Sequence, residues 1–188
     1  FLACIALGVG AIGGVNSVAR AITEAVETEG QSLLAADLRF ELNQRRAGAD
    51  ERAFLSGLGD VSESANMRSM ARLPDGSDQT LVEVKAVDGL YPLYGERVTE
   101  PQLSHDDLFA AVDGAFGAAA PALLFERLGI APGDRIMLGG QPIELRAVLT
   151  TEPDAVSDGF GFAPRLMISL DALEATGLIQ PGSLVEHV

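Results

Sequence analysis

Residues 123–148 read LLFERLGIAPGDRIMLGGQPIELRAV, and this stretch decides the fold class. Its first part, with Pro121 and Ala122 ahead of it, is a short helix. Pro121 suits the first helical position, where a missing N–H leaves nothing unsatisfied, and Gly129 suits the position just past the end. Pro132-Gly133-Asp134 then turns into a strand at 135–138. Gly139-Gly140 turns into a second strand at 143–149. There Ile143, Leu145, Ala147 and Leu149 alternate with Glu144 and Arg146, the period-2 pattern of a strand with one buried face.

The same logic extends in both directions. Upstream, runs at 61–73 and 79–87 flank Pro74-Asp75-Gly76-Ser77-Asp78, which is turn chemistry, so the pair reads as a β-hairpin. Val82, Val84 and Ala86 share one of its faces, with Glu83 and Lys85 on the other. Ala36–Asn43 alternates Leu38, Phe40 and Leu42 against charged neighbours and predicts a half-buried strand. Ala49–Leu58 predicts a short helix, with Asp50 near its start and Gly59 after its end. Residues 88–107 are loop-rich, and the Ala-rich stretch 108–119 fits either helix or strand. Downstream, 152–164 is a Gly/Asp/Pro loop and Leu166–Ile168 a short strand. Ser169 suits the N-cap of a helix over 170–176 that Gly177 closes, and 184–188 reads as a strand. The class is α+β, mainly antiparallel strands with short helices.

Composition narrows what such a domain does. The chain has 188 residues, 47% of them apolar, with a formal net charge of −14 from 27 acids and 13 bases. That length buries a core without staples, and that apolar fraction excludes a wholly disordered chain. A surface so acidic repels phosphate backbones, which argues against nucleic acid, and disfavours direct attraction to anionic headgroups. Cys4 is the only cysteine, so there is neither a disulfide framework nor a cysteine metal site. The first residue is Phe1, which suggests a fragment or a processed product.

The first thirty residues are of another kind. Phe1–Ala19 carries no charge, and a stretch of this length approaches the roughly 20 residues that cross a hydrocarbon core. Beyond Arg20, Val18, Ile22 and Val26 recur at i+4 while Glu24, Glu27 and Glu29 take other faces. The expectation is the end of a membrane helix over 1–19 continued by a stalk helix over 20–34, with a domain over 35–188. Two rival readings start here. Gly8-Val9-Gly10-Ala11-Ile12-Gly13 is a literal GxGxxG with Asp37 placed as a ribose-binding acid, which would make an NAD(P)-binding domain. That fold continues as alternating strands and helices, whereas the next hundred residues read as hairpins. Alternatively, the apolar start is the remnant of a signal peptide and the chain a secreted solute-binding or adaptor domain; the basic n-region a signal peptide needs is not present.

Motifs for chemistry are scarce. The only lysine is Lys85, preceded by Val84 inside a strand, so GxxxxGK[ST] is excluded. There is no GxSxG elbow and no HExxH. His105-Asp106-Asp107 reads as a solvated acidic turn before a helix. Glu152, Asp154 and Asp158 lack calcium-loop spacing and read as solvated loop carboxylates. Nothing in the chain demands an enzyme, a metal or a cofactor. Aromatics in two loops, Tyr91 with Tyr94 and Phe160 with Phe162, are the candidates for substrate or partner contact; the alternative is that they anchor those loops to the core.

Three segments resemble one family. Residues 123–148 look like the LG…GD segment of the extracytoplasmic core domain of MacB-type and FtsX-like ABC transporter permeases. LVEVKAVDGLYPLYG (81–95) and EPDAVSDGFGFAPRLMISLDALEATGLIQPGSL (152–184) are similar to the YbbP-like branch of that family. The resemblance implies a MacB-like periplasmic core domain of mixed α+β fold, preceded by a transmembrane helix of the bacterial inner membrane, with residues from about 20 onward extracytoplasmic. It implies an ABC ATPase subunit as partner through the membrane part of the full protein. Membrane lipid and, in some genomes, a lysophospholipase/thioesterase-type enzyme are the other partners it suggests. The implied function is to transmit ATP-driven motion outward, moving hydrophobic molecules or controlling a partner. No catalytic residue carries over.

Overall fold

The computed structural model describes Ser17, Val18, Arg20 and residues 35–155, 163–180 and 183–188. Ser17, Val18 and Arg20 are helical. The rest of the expected membrane and stalk segments lies outside the described residues, as do Cys4 and the GxGxxG of Gly8–Gly13. Among the described residues no helix is long and apolar enough to cross a membrane, which says nothing of crossing by strands.

The elements in chain order are β1 (Leu42–Asn43), α1 (Ala49–Ser56), β2 (Ser64–Arg72), β3 (Gln79–Val87), β4 (Val98–Glu100), α2 (His105–Phe109), β5 (Ala111–Val112) and β6 (Ala115–Ala120). They continue with α3 (Ala122–Leu128), β7 (Arg135–Leu138), β8 (Gln141–Thr151), β9 (Arg165–Ser169), α4 (Leu170–Thr176) and β10 (Glu186–His187). The strands form one mixed sheet. β3 with β9 and β6 with β8 run parallel; every other described pair is antiparallel. Because β7 pairs with both β2 and β8, the ladder β2–β3–β9–β6–β8–β7 closes on itself. This is not the doubly wound parallel sheet that a dinucleotide domain requires.

The stretch 123–148 sits as read. α3 ends at Gly129 in the left-handed conformation (φ 64°), and Pro121 is its N-cap rather than its first residue. Ala131 N–H donates to the Asp134 carboxylate at 2.8 Å and locks the turn into β7. The β2–β3 hairpin pairs in unbroken register from Ser64↔Val87 to Arg72↔Gln79. Ser169 accepts from the Ala172 N–H at 3.1 Å, and Gly177 closes α4.

Two cores lie on the two faces of this sheet. The larger holds Val82, Val84, Ala86, Ile136, Leu138, Ile143, Leu145, Leu166 and Ile168, with α3 and α4 packed on it through Leu124, Phe125 and Leu173. The smaller holds Val87, Ala119, Ala147, Leu149 and Met167, covered by Tyr91, Leu108 and Phe109. β8 serves both, which corrects the single face expected for it. The register shifts between Ala118↔Leu145 and Ala119↔Ala147, leaving Arg146 as an extra residue. One inserted residue reverses the alternation beyond it. Ile143 and Leu145 therefore face the larger core, and Ala147 and Leu149 the smaller one.

Other expectations are also corrected. Only Leu42–Asn43 of the 36–43 run is strand, because β10 offers it just two partners, His187 and Glu186. Without a neighbour for the rest, Leu38 and Phe40 are exposed. The helix at 49–58 ends at Ser56 with Gly57 as its cap, and none of its residues is buried. The 88–107 stretch contains β4 and the start of α2, and 108–119 divides among the end of α2, β5 and most of β6.

Candidate functional site

The partly exposed 35–42 segment and the stretch from α1 to Leu58 form two walls of a cleft of about 370 Å³. Leu38, Phe40 and Leu58 stand in these walls largely in solvent, at 70%, 53% and 70% exposure. Glu63 and His187 lie at its base, and Tyr91, Tyr94 and Asp154 also line it. Its size is at the lower end of ordinary small-ligand sites. α1 is held in place by its first turn. Glu51 accepts from the Gly48 N–H at 2.8 Å and from both terminal nitrogens of Arg45 at 2.7 and 2.9 Å. The Arg45 bonds first, and the Gly48 N–H second, pull the Glu51 carboxyl down to about 2. Glu63 ties the base together, pairing with Arg46 at 3.1 Å and Arg52 at 2.5 Å.

Behind this cleft is a buried ion cluster. Lys85 points to the same side of β3 as Val87, toward the smaller core, and is 1% exposed. Its Nζ lies 2.5 Å from Asp154 Oδ1 and 2.8 Å from Glu152 Oε1. It donates to the Tyr91 hydroxyl at 3.1 Å and sits 4.6 Å from the centre of that ring. Tyr91 in turn donates to Asp154 Oδ1 at 2.5 Å. Arg165, at the start of β9, reaches Glu152 Oε1 at 3.0 Å. Two cations thus meet two carboxylates in a place closed to water, where one charge alone would cost several kcal/mol. Burial, then the charges of Glu152 and Asp154, push the Tyr91 phenol far above its ordinary range, so it stays a donor. The cluster joins β3, the 88–95 loop, the segment after β8 and β9.

The structure brings the sequence candidates only partly together. Tyr91 is buried at 8% exposure and belongs to the cluster. Tyr94, 39% exposed, donates to Asp37 at 3.0 Å at the cleft. Phe160 and Phe162 lie outside the described residues. Glu152 and Asp154 are buried rather than solvated, because Lys85 and Arg165 stand opposite them; Asp158 is not among the described residues. His105, Asp106 and Asp107 begin α2, whose N-cap Ser104 accepts from the Asp107 N–H at 3.1 Å. Lys85 was missed as a site residue. The available signal was a single lysine inside an apolar-facing strand, which in a folded domain demands a buried acid.

No family model matches the chain. An uncharacterized ABC transporter permease of Escherichia coli, YbbP, is 35% identical over 114 residues, covering 58% of this chain and 13% of its own length. The chain therefore spans about an eighth of that relative. The extracellular domain of the noncanonic ABC-type transporter YknZ from Gram-positive bacteria superposes with a TM-score of 0.52. It is 17% identical, covering 76% of this chain and 72% of that one. The periplasmic region of MacB from Actinobacillus actinomycetemcomitans gives 0.42 at 11% identity, over 79% and 72% of the two chains. The chain is thus similar in sequence to part of an ABC transporter permease, and it has the fold of the extracellular domain of an ABC-type transporter.

Proposed function

We propose that this chain is the extracytoplasmic domain of an ABC transporter permease. In this reading a helix over 1–19 and a stalk over 20–34 carry motion from an ATPase subunit in the cytoplasm to the domain outside the inner membrane. The domain then moves a hydrophobic molecule or controls an extracytoplasmic partner, with membrane lipid and a lysophospholipase/thioesterase-type enzyme as the candidates. The observation that carries the reading is the 35% identity to a permease over 114 residues, on a chain whose fold is that of a transporter's extracellular domain. The cleft supports the contact role. Leu38, Phe40 and Leu58 hold apolar surface in water beside Tyr94, and such surface suits an apolar partner. Tyr91, Tyr94, Phe160 and Phe162 remain the proposed contact loops, with Tyr91 acting from beneath.

In a full-length permease freed of its native cysteines, Cys4→Ser among the changes, Ser77→Cys on the exposed hairpin turn is labelled in spheroplasts by a membrane-impermeant maleimide. Labelling only after lysis places the domain in the cytoplasm and ends the proposal. A photo-crosslinking side chain at position 94 then reports contact. Crosslinks that change when ATP hydrolysis is blocked support coupling, and crosslinks indifferent to it count against coupling.

A further inference from the structure

We propose that the cleft binds a single-chain alkylammonium amphiphile, with its head on the Tyr94–Asp37 pair and its chain along Leu38, Phe40 and Leu58. The buried cluster already shows how this fold holds an ammonium. There Tyr91 donates its hydroxyl to Asp154 Oδ1 at 2.5 Å, and the Lys85 ammonium stands 4.6 Å from the centre of the same ring. A carboxylate and the face of an aromatic ring act together on one cation, the combination that also recognises ammonium ligands. Three residues on, Tyr94 donates its hydroxyl to Asp37 Oδ2 at 3.0 Å. This second tyrosine–aspartate pair lines the cleft, and both of its members are exposed. Lys85 is the chain's only lysine, so no second lysine exists to bring an ammonium to it. A ligand entering the cleft can bring one.

The rest of the lining selects the head and the tail. Among the described residues four carboxylates line the cleft, those of Asp37, Asp60, Glu63 and Asp154, against two arginines, Arg39 and Arg52. Both arginines already meet carboxylates, Arg39 that of Glu41 at 3.0 Å and Arg52 that of Glu63 at 2.5 Å. An anionic head therefore meets more repulsion than attraction, and a cationic head the reverse. The chain's net charge of −14 adds in the same sense. For the tail, Leu38, Phe40 and Leu58 offer apolar surface that stands in water, and an alkyl chain laid on it removes that surface from solvent. A cleft at the lower end of small-ligand volumes suits one such chain better than two. The inference deepens the proposed function. It rests on the cleft as an apolar contact site and is indifferent to coupling with an ATPase.

The test uses the whole 188-residue chain and follows the tyrosine ring resonances. There are two tyrosines, so Tyr94→Leu assigns them. Dodecyltrimethylammonium, dodecanoate and tetramethylammonium are titrated separately, the first two below their micellar concentrations. The expected result is a saturable shift of Tyr94 with dodecyltrimethylammonium, together with a nuclear Overhauser contact between its N-methyl protons and the Tyr94 ring. Dodecanoate should bind about tenfold more weakly, because the same carboxylates attract one head and repel the other. Tetramethylammonium, which lacks the tail, should bind weaker by about tenfold or more. Asp37→Asn should weaken dodecyltrimethylammonium about three- to fivefold, as loss of an exposed ion pair does. Equal affinity for dodecanoate overturns the ammonium assignment and leaves the apolar contact standing. No saturable shift of Tyr94 with any probe overturns both, whether or not Asp37→Asn folds. Saturation without the N-methyl contact, or wild-type affinity in a folded Asp37→Asn chain, also overturns the assignment. The maleimide labelling judges the transporter reading separately.

Discussion

Lys85 Nζ and Asp154 Oδ1 lie 2.5 Å apart across 69 positions of sequence, and both are buried. This contact fastens the segment after β8 onto the back of β3. Removing Lys85 takes away one of the two cations that balance the buried Asp154 and Glu152 carboxylates. Lys85→Met should therefore cost about 3–5 kcal/mol of stability, measured by chemical denaturation. Lys85→Met combined with Asp154→Leu should cost clearly less than the two single changes together, because they share one partner. Strict additivity would show that the two side chains do not depend on each other.

Tyr91 and Tyr94 are three positions apart and should answer differently. Tyr91→Ala empties a buried site and should cost about 3–5 kcal/mol. Tyr91→Phe keeps the ring and removes the donor to Asp154, at about 1–3 kcal/mol. Tyr94→Ala should change stability by no more than about 0.5–1 kcal/mol, since its hydroxyl bonds Asp37 at an exposed site. Any loss of partner binding in Tyr94→Ala then reports contact and not folding. Thermal melts of the three variants give the comparison.

Gly117 is a close-approach position. A Cβ there would lie 1.9 Å from the Leu108 carbonyl oxygen and 2.7 Å from Arg146 Nη1. That guanidinium donates to the Asp107 and Leu108 carbonyls at 2.8 and 3.3 Å, so it closes the end of α2. Gly117→Ala should push α2 off β6 and cost more than about 3 kcal/mol. Gly89→Ala, with open space around its Cβ, is the control and should stay near neutral. Equal melting temperatures for the two would show that α2 gives way freely.

Acid should weaken the fold through His187. Burial first, and Arg46 second, lower its pKa, against the raising effect of Glu63. The native chain therefore takes up a proton less readily than the unfolded one, whose histidines titrate near about 6.5. Stability is complete above that value and falls as pH drops through it, because the unfolded state gains protons that the native state refuses. His105 adds in the same direction. His187→Gln should flatten the slope of unfolding free energy against pH between 7.5 and 6. An unchanged slope would remove His187 from the account.

Much of this was legible in the residues, for identifiable reasons. Turn chemistry at Pro74–Asp78, the cap at Ser169 and the glycine stops at Gly129 and Gly177 are local, and each sits where it was read. What local pattern lacks is the identity of the neighbour. Leu38 and Phe40 alternate as in a strand, but β10 is too short to pair with them. Arg146 is an ordinary strand residue until β6 is laid beside it and one position has no counterpart. The cluster was illegible for the same reason. Glu152 and Asp154 look like solvated loop acids unless the single lysine of the chain is known to face them.

Leu42 pairs with His187 and Asn43 with Glu186, in opposite directions. Chain arriving at Leu42 and chain departing from His187 therefore pass through one doorway. Two tethers moved together there carry the domain as rigid cargo. Moved apart, they peel two residue pairs one after the other, while β10 keeps its own grip on β2. The short β1–β10 ladder is in that sense the contact that opens first when those two chain paths are drawn apart.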